Sequence, residues 1–229
     1  MTQPISPCYD RIRQSFVAAH ESGLTLATDL DHIAAAGPVA TSERYVIATD
    51  GSAQPNPGPT GWAWVGEDGR WAAGAIPQGT NNVGELMGLL RGITDHAHVE
   101  HLVIQADSKY AIDTYEKWMD GARARGWKSS TGVPTKNRDL IEQLIAARDA
   151  RRAAGLPDVT LEHVRGHQGH RLNGWADERA VRATQHAKTG SHRDWTTDAG
   201  HPMLDVTVDA PSAAADGARR RARATAGRR

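Results

Sequence analysis

The feature that most constrains this chain is a change of hydrophobic period near residue 80. Before it, residues 45–49, 61–65 and 71–76 are short β-type runs, parted by Gln54-Pro55-Asn56-Pro57-Gly58-Pro59 and by Glu67-Asp68-Gly69. Short runs separated by turn-forming residues predict a three-stranded antiparallel meander. After it, Val83, Leu86, Met87, Leu90 and Ile93 recur at helical spacing, with Asn82 three residues before Glu85 as a capping-box-like start. Residues 101–106 then read as a buried strand, 110–119 and 139–154 as helices, 159–164 as a fifth strand and 174–186 as a last helix. Gly155 and Pro157 stop the second of those three helices. The order βββαβααβα predicts an α/β fold: a five-stranded mixed sheet, three antiparallel strands then two parallel, flanked by the helices that parallel pairing requires.

Outside that block the pattern weakens. Residues 1–43 show faint helical periodicity broken by Gly23 and Gly37-Pro38, and predict a helical or partly ordered leader. Residues 44–187 are the expected folded domain, and 188–229 an extension. Six of the last eleven residues are arginine and none is acidic, which suits a disordered basic arm, either a tether to nucleic acid or a solvated tail. The net charge of zero is uninformative about partners, because local clusters steer polyanions. Cys8, the single cysteine among 229 residues, excludes an internal disulfide framework and a four-thiolate zinc site, and predicts a cytoplasmic protein. No run approaches the length of a membrane span.

The acids are placed suggestively. Asp50 and Asp107 each end an apolar run, so if their strands are neighbours the two carboxylates emerge side by side, where like charges need a cation. Glu85 in the first helix and Asp177 near the start of the last could join them. Four carboxylates without a thiolate form an oxygen donor set for Mg²⁺, with Mn²⁺ as substitute. Two such ions about 3.5 to 4 Å apart would align water and a leaving oxygen about a phosphodiester. Any one of these acids alone is equally a helix cap or a surface charge.

In their local contexts these residues resemble the type 1 ribonuclease H family, bacterial type. The contexts are Thr49-Asp50-Gly51-Ser52, Asn56-Pro57-Gly58-Pro59, Asn81-Asn82-Val83-Gly84-Glu85-Leu86, Ala106-Asp107-Ser108-Lys109-Tyr110, and Gly166-His167-Gln168-Gly169-His170 before Asn173 and Asp177. The resemblance spans residues 44–187 in the family's order. It implies a ribonuclease H-like fold with a basic protrusion, and an endoribonuclease that hydrolyses the RNA strand of RNA/DNA hybrids to 5'-phosphate and 3'-hydroxyl ends. It implies that Asp50, Glu85, Asp107 and Asp177 are the catalytic metal ligands, with Asp50 bridging two ions, and that His167 assists proton transfer or product departure. His170 is expected to support its loop, since nothing completes a tetrahedral zinc set around it.

The resemblance further places Asn56, Asn81, Asn82 and Ser108 near the hybrid's minor groove, where short polar groups read 2'-hydroxyls and phosphates. Turn and cap chemistry explains Asn56 and Asn82 equally well. From Gly121 to Arg138 there are five basic residues and no acid, with Trp127 inside and Trp118 just before. Basic charge interleaved with aromatics suits a phosphate-tracking surface, so Trp118, Arg123, Arg125, Trp127 and Lys128 are the expected contacts, a packing role for Trp127 being the competing reading. Gly174, Lys109 and Asp113 depart from the family's usual residues. A monomer is expected, and the competing functions are a non-catalytic nucleic-acid-binding module and a DNA-directed nuclease of the same superfamily.

Overall fold

The structure, a computed structural model, describes residues 44–129, 131–166, 170–190 and 192–196. The leader with Cys8, the segment His167-Gln168-Gly169 and the arginine-rich tail lie outside the described residues.

Three strands open the domain: β1 (Arg44–Ala53), β2 (Gly58–Gly66) and β3 (Trp71–Gly79). Helix α1 (Asn81–Asp95) and strand β4 (His101–Ala106) follow. A second helical stretch is built in three pieces: α2 (Lys109–Asp113), one wide turn at Thr114–Trp118, and α3 (Met119–Ala124). Then come α4 (Arg138–Ala153), β5 (Thr160–His163), α5 (Arg171–Lys188) and β6 (Asp194–Thr196).

The sheet order is β5-β4-β1-β2-β3-β6. β1 pairs antiparallel with β2, and β2 with β3, while β1–β4 and β4–β5 are parallel. β1 is central and covered by helices on both faces, so Val46, Ile47 and Ala48 are all buried instead of alternating with polar residues. On one face Leu86, Leu89, Leu90 and Ile93 of α1 meet Trp62, Leu102, Ile104 and α4's Leu140, Leu144 and Ile145. On the other face α5 crosses β1, β2 and β3. Its inner stripe is Ala176, Ala180, Ala183 and Ala187, all buried, so the helix lies close to the sheet. Trp62, Trp64 and Trp71 are buried core residues.

Among the described residues six strands are present where five were expected. Residues 194–196 are too short to show a period, and burial makes the strand: Trp195 is 2% exposed and lies against the His186 ring at 4.9 Å. Asp194 accepts from Arg91 at 2.7 Å, and the Ala75 amide donates to the Arg193 carbonyl at 3.1 Å. The folded sheet therefore runs past the expected boundary at residue 187.

Smaller differences have local causes. The N-cap of α1 is Thr80, whose hydroxyl accepts from the Val83 amide at 3.2 Å, and Asn82 is already inside the helix. α5 begins at Arg171, three residues before Gly174, which the helix accommodates in open space. Among the described residues three arginines are buried. Arg151 donates to the carbonyls of His96, Val99, Glu100 and Pro157 and so closes the loops at the pole opposite the acids. No described helix is long and apolar enough to cross a membrane.

Candidate active site

The parallel register of β1 and β4 pairs Thr49 with Ala106, so Asp50 and Asp107 follow one step beyond on adjacent strands. Asp50 is nearly buried, and its Oδ1 accepts the Gly51 amide at 2.8 Å. Glu85 joins them because α1 approaches β1 backbone to backbone. A Cβ on Gly51 would lie 2.1 Å from the Glu85 nitrogen, and one on Gly84 would lie 2.7 Å from the Gly61 carbonyl oxygen. One turn on, a Cβ at Gly88 would stand 3.0 Å from the Asp50 carbonyl oxygen. Glycine at these points permits the contact that brings the first turns of α1 against the strand bearing Asp50.

The result is a cluster in which Asp50, Glu85 and Asp107 each offer an oxygen, all within 4.8 Å of one another. Asp177 of α5 borders the same open cavity of about 380 Å³, together with Ser52, Gln54 and Asn81. Burial, then the charge of Asp107, pushes the Asp50 carboxyl up to about 8 against the pull of the Gly51 amide. Burial first, then Asp50 and Asp107, hold Glu85 well above the usual carboxylate range. Acids gathered at such cost to their ionised forms are a mark of a functional site. The buried Glu85 Oε2 has no hydrogen-bond partner. A hard divalent cation fits this donor set, since it supplies both the missing partner and the opposing charge, and among the described residues the cluster offers only carboxylate oxygens.

The other expected residues divide between two places. Asn81 lines the acidic cavity; its Oδ1 accepts from the Ala53 amide at 2.7 Å, and its own amide donates to Asn56 Oδ1 at 3.3 Å. Ser108 caps α2, accepting from the Ala111 amide at 3.3 Å. Asn82, one position round the helix from Asn81, borders a second, largely apolar depression of about 210 Å³ with Tyr110, Thr114, Trp118 and Lys136. Trp118 is 47% exposed there. Trp127 instead packs against the core, with the Arg138 guanidinium 5.2 Å from its ring centre. Arg123 is turned toward Asp149 at 3.4 Å and Asp120 at 3.9 Å. Arg125 donates to the Lys128 carbonyl at 3.4 Å. His170 is the N-cap residue of α5 and makes no side-chain capping bond. His167 lies outside the described residues.

Sequence reasoning missed Gln54, whose Oε1 accepts from Lys188 at 3.1 Å at the cavity rim. It missed Tyr110 as well, which accepts from Asn137 at 3.0 Å in the second depression. Neither residue type in its local sequence carries a signal of such a place.

A mixed α/β sheet that presents an all-oxygen acidic cluster at the carboxyl ends of adjacent parallel strands defines a divalent-metal-dependent class of enzyme. The chain belongs to the RNase H family, whose model matches residues 42–185. It is similar to ribonuclease HI of Streptomyces coelicolor, 38% identical over 148 residues that cover 62% of this chain and 62% of that protein. It is also similar to ribonuclease H of Rhodospirillum rubrum, 37% identical over 69% of this chain and 93% of the relative. The chain thus spans somewhat under two thirds of the first relative and nearly all of the second. Among solved structures, a type 1 RNase H with the type 2 active-site motif shares the fold, with a TM-score of 0.50 and 22% identity over 66% of this chain and 75% of that one.

Proposed function

We infer that this chain is a ribonuclease H that hydrolyses the RNA strand of RNA/DNA hybrids, using divalent cations held by Asp50, Glu85, Asp107 and Asp177. The observation that carries the reading is the cluster of Asp50, Glu85 and Asp107 within 4.8 Å, on a chain of this family. Mg²⁺ is the cation that an all-carboxylate set of this kind selects, with Mn²⁺ as substitute. When bound, the cations supply the positive charge that activates a water and stabilises the leaving 3'-oxygen.

The chain's own residues do the rest. Asp50, the most buried of the three clustered acids, would hold the cations together with Glu85, Asp107 and Asp177. With its Oδ1 taken by Ala53, Asn81 keeps its amide NH₂ to donate toward the substrate's minor groove. Ser108 accepts the Ala111 amide and keeps its hydroxyl proton to donate to a sugar hydroxyl or phosphate. Exposed Trp118 offers a face for the DNA strand, and Arg125 and Lys128 offer charge to phosphates. His167 is the proposed proton carrier, histidine being the side chain that exchanges protons near neutrality. The enzyme works as a cytoplasmic monomer in this reading.

The test is cleavage of labelled RNA in a hybrid, beside RNA duplex, DNA duplex and single-stranded controls, with Mg²⁺ and with EDTA. Hybrid-only, metal-dependent cutting that Asp50→Asn abolishes is the expected result. Asn keeps an oxygen for the Gly51 amide and removes the cost of burying an acid whose folded pKa is raised to about 8, so the metal-free variant is expected to melt about 2 to 4 °C above wild type near neutral pH. Cutting of DNA duplex would make the chain a broader nuclease, and hybrid binding without cutting under any divalent metal would make it a binding module.

A further inference from the structure

Strand β5 ends at His163, but its alignment with β4 continues: the Val164 amide donates to the Ala106 carbonyl at 3.0 Å. The chain therefore leaves the sheet beside Asp107, and two residues later Gly166 lies against that carboxylate. A Cβ on Gly166 would stand 2.4 Å from Asp107 Oδ2, 3.4 Å from its Cγ and 3.7 Å from its Cβ. The three nearest atoms all belong to one side chain. Gly166 is absent from the residues with positive φ, so its backbone does not itself require glycine.

Gly51 provides the contrast. A side chain there strikes the main chain of α1, so substitution disturbs the fold. At Gly166 the obstacle is the end of a side chain, which yields by rotating about its own bonds. We propose that Gly166 is a positioning residue: its missing side chain is the space that keeps the Asp107 carboxylate turned into the cluster with Asp50 and Glu85, and any larger residue turns that carboxylate out. This rests on the reading of the cluster as a metal site. Residues that orient metal ligands are typically worth about 10- to 100-fold in metal affinity or activity.

The experiment titrates metal-free protein with Mn²⁺ by calorimetry and records thermal melting in EDTA and hydrolysis of the hybrid. Gly166→Ala is expected to melt within about 2 to 4 °C of wild type, to bind metal about 10- to 100-fold more weakly, and to lose kcat with KM for the hybrid unchanged. Gly174→Ala, which meets nothing within 4 Å, is expected to keep wild-type metal affinity. In an Asp107→Ala background, Gly166→Ala is expected to add no further loss, because residues that act through one another are not additive. Wild-type affinity in Gly166→Ala, a further loss in the Asp107→Ala background, or melting far below wild type would each overturn the proposal alone. A wild-type chain that takes up no divalent cation would overturn the metal reading, and the proposal with it.

Discussion

Thr184 donates its hydroxyl to the main-chain carbonyl of Ser52 at 2.9 Å, tying the helix that carries Asp177 to the strand that carries Asp50. The same oxygen reaches the Ala180 carbonyl at 3.0 Å, and the side chain is buried. The inner stripe of α5 is otherwise mostly alanine, which slides easily, and this bond helps to hold its register. Thr184→Val keeps the shape and removes the donor. It is expected to cost about 1 kcal/mol, read as a thermal midpoint about 2 to 4 °C lower, and to reduce kcat on the hybrid. A lowered midpoint with unchanged kcat would show that alanine packing alone places Asp177.

The side-by-side placement of Asp50 and Asp107 was legible because each acid ends a strong apolar run. β4 runs over the six residues of its apolar run, and acids placed directly after two such runs are adjacent once the strands pair in parallel. Other features carry no period. The wide turn at Thr114–Trp118, where the Met119 amide donates to the Thr114 carbonyl, sits inside a stretch that reads as one ordinary helix. Arg148, Arg151 and Arg179 are of a residue type that is mostly exposed, yet each is buried, because guanidinium groups find carbonyls, an acid or an aromatic face in the fold. β6 forms through the burial of Trp195, the Asp194–Arg91 pair and pairing with β3, tertiary effects invisible to local pattern.

Arg148 makes a two-pronged bond to Asp120, Nη1 to Oδ2 at 2.9 Å and Nη2 to Oδ1 at 2.6 Å, joining α4 to α3. The guanidinium is buried while the acid is largely exposed. Arg148's hydrogen bonds hold the Asp120 carboxyl below its ordinary range. A depressed folded-state pKa gives stability that is present above the unfolded value and lost as pH falls through the folded one. Asp120→Asn is therefore expected to lower the urea midpoint at pH 7, the pair being worth about 1 kcal/mol once solvent screening of the exposed acid is allowed for. The gap between variant and wild type should narrow below about pH 4. An equal gap at pH 7 and pH 3 would show that ionisation of Asp120 is not what the pair uses.

The last strand makes the folded unit longer than its sequence pattern suggested. Trp195 is buried against His186, with Arg193 5.7 Å from its ring centre, and Asp194 holds Arg91, itself 5.0 Å from the Trp62 ring centre. Trp195→Ala empties a large site, and about 3 to 5 kcal/mol is the expected loss for a buried tryptophan. Denaturant unfolding of the variant, and of chains ending at residue 199 and at residue 189, measures this. The longer chain should match the full protein and the shorter should resemble the variant. Equal stability of the two truncations would show that β6 adds nothing.

The basic segment before α4 separates charges that are free to meet phosphate from charges already spent. Arg123 faces Asp149 and Asp120, whereas Lys128 makes no ion pair among the described residues. A lysine that neutralises one phosphate contributes about one unit to the slope of log affinity against log salt. Lys128→Ala is expected to reduce that slope by about one for hybrid binding in Ca²⁺ or EDTA. Arg123→Ala is expected to change it less, because that arginine is already engaged by Asp149 and Asp120. Equal slopes for both variants would mean that the intramolecular pairs of Arg123 open on binding, and an unchanged slope for Lys128→Ala would remove this segment from the hybrid interface.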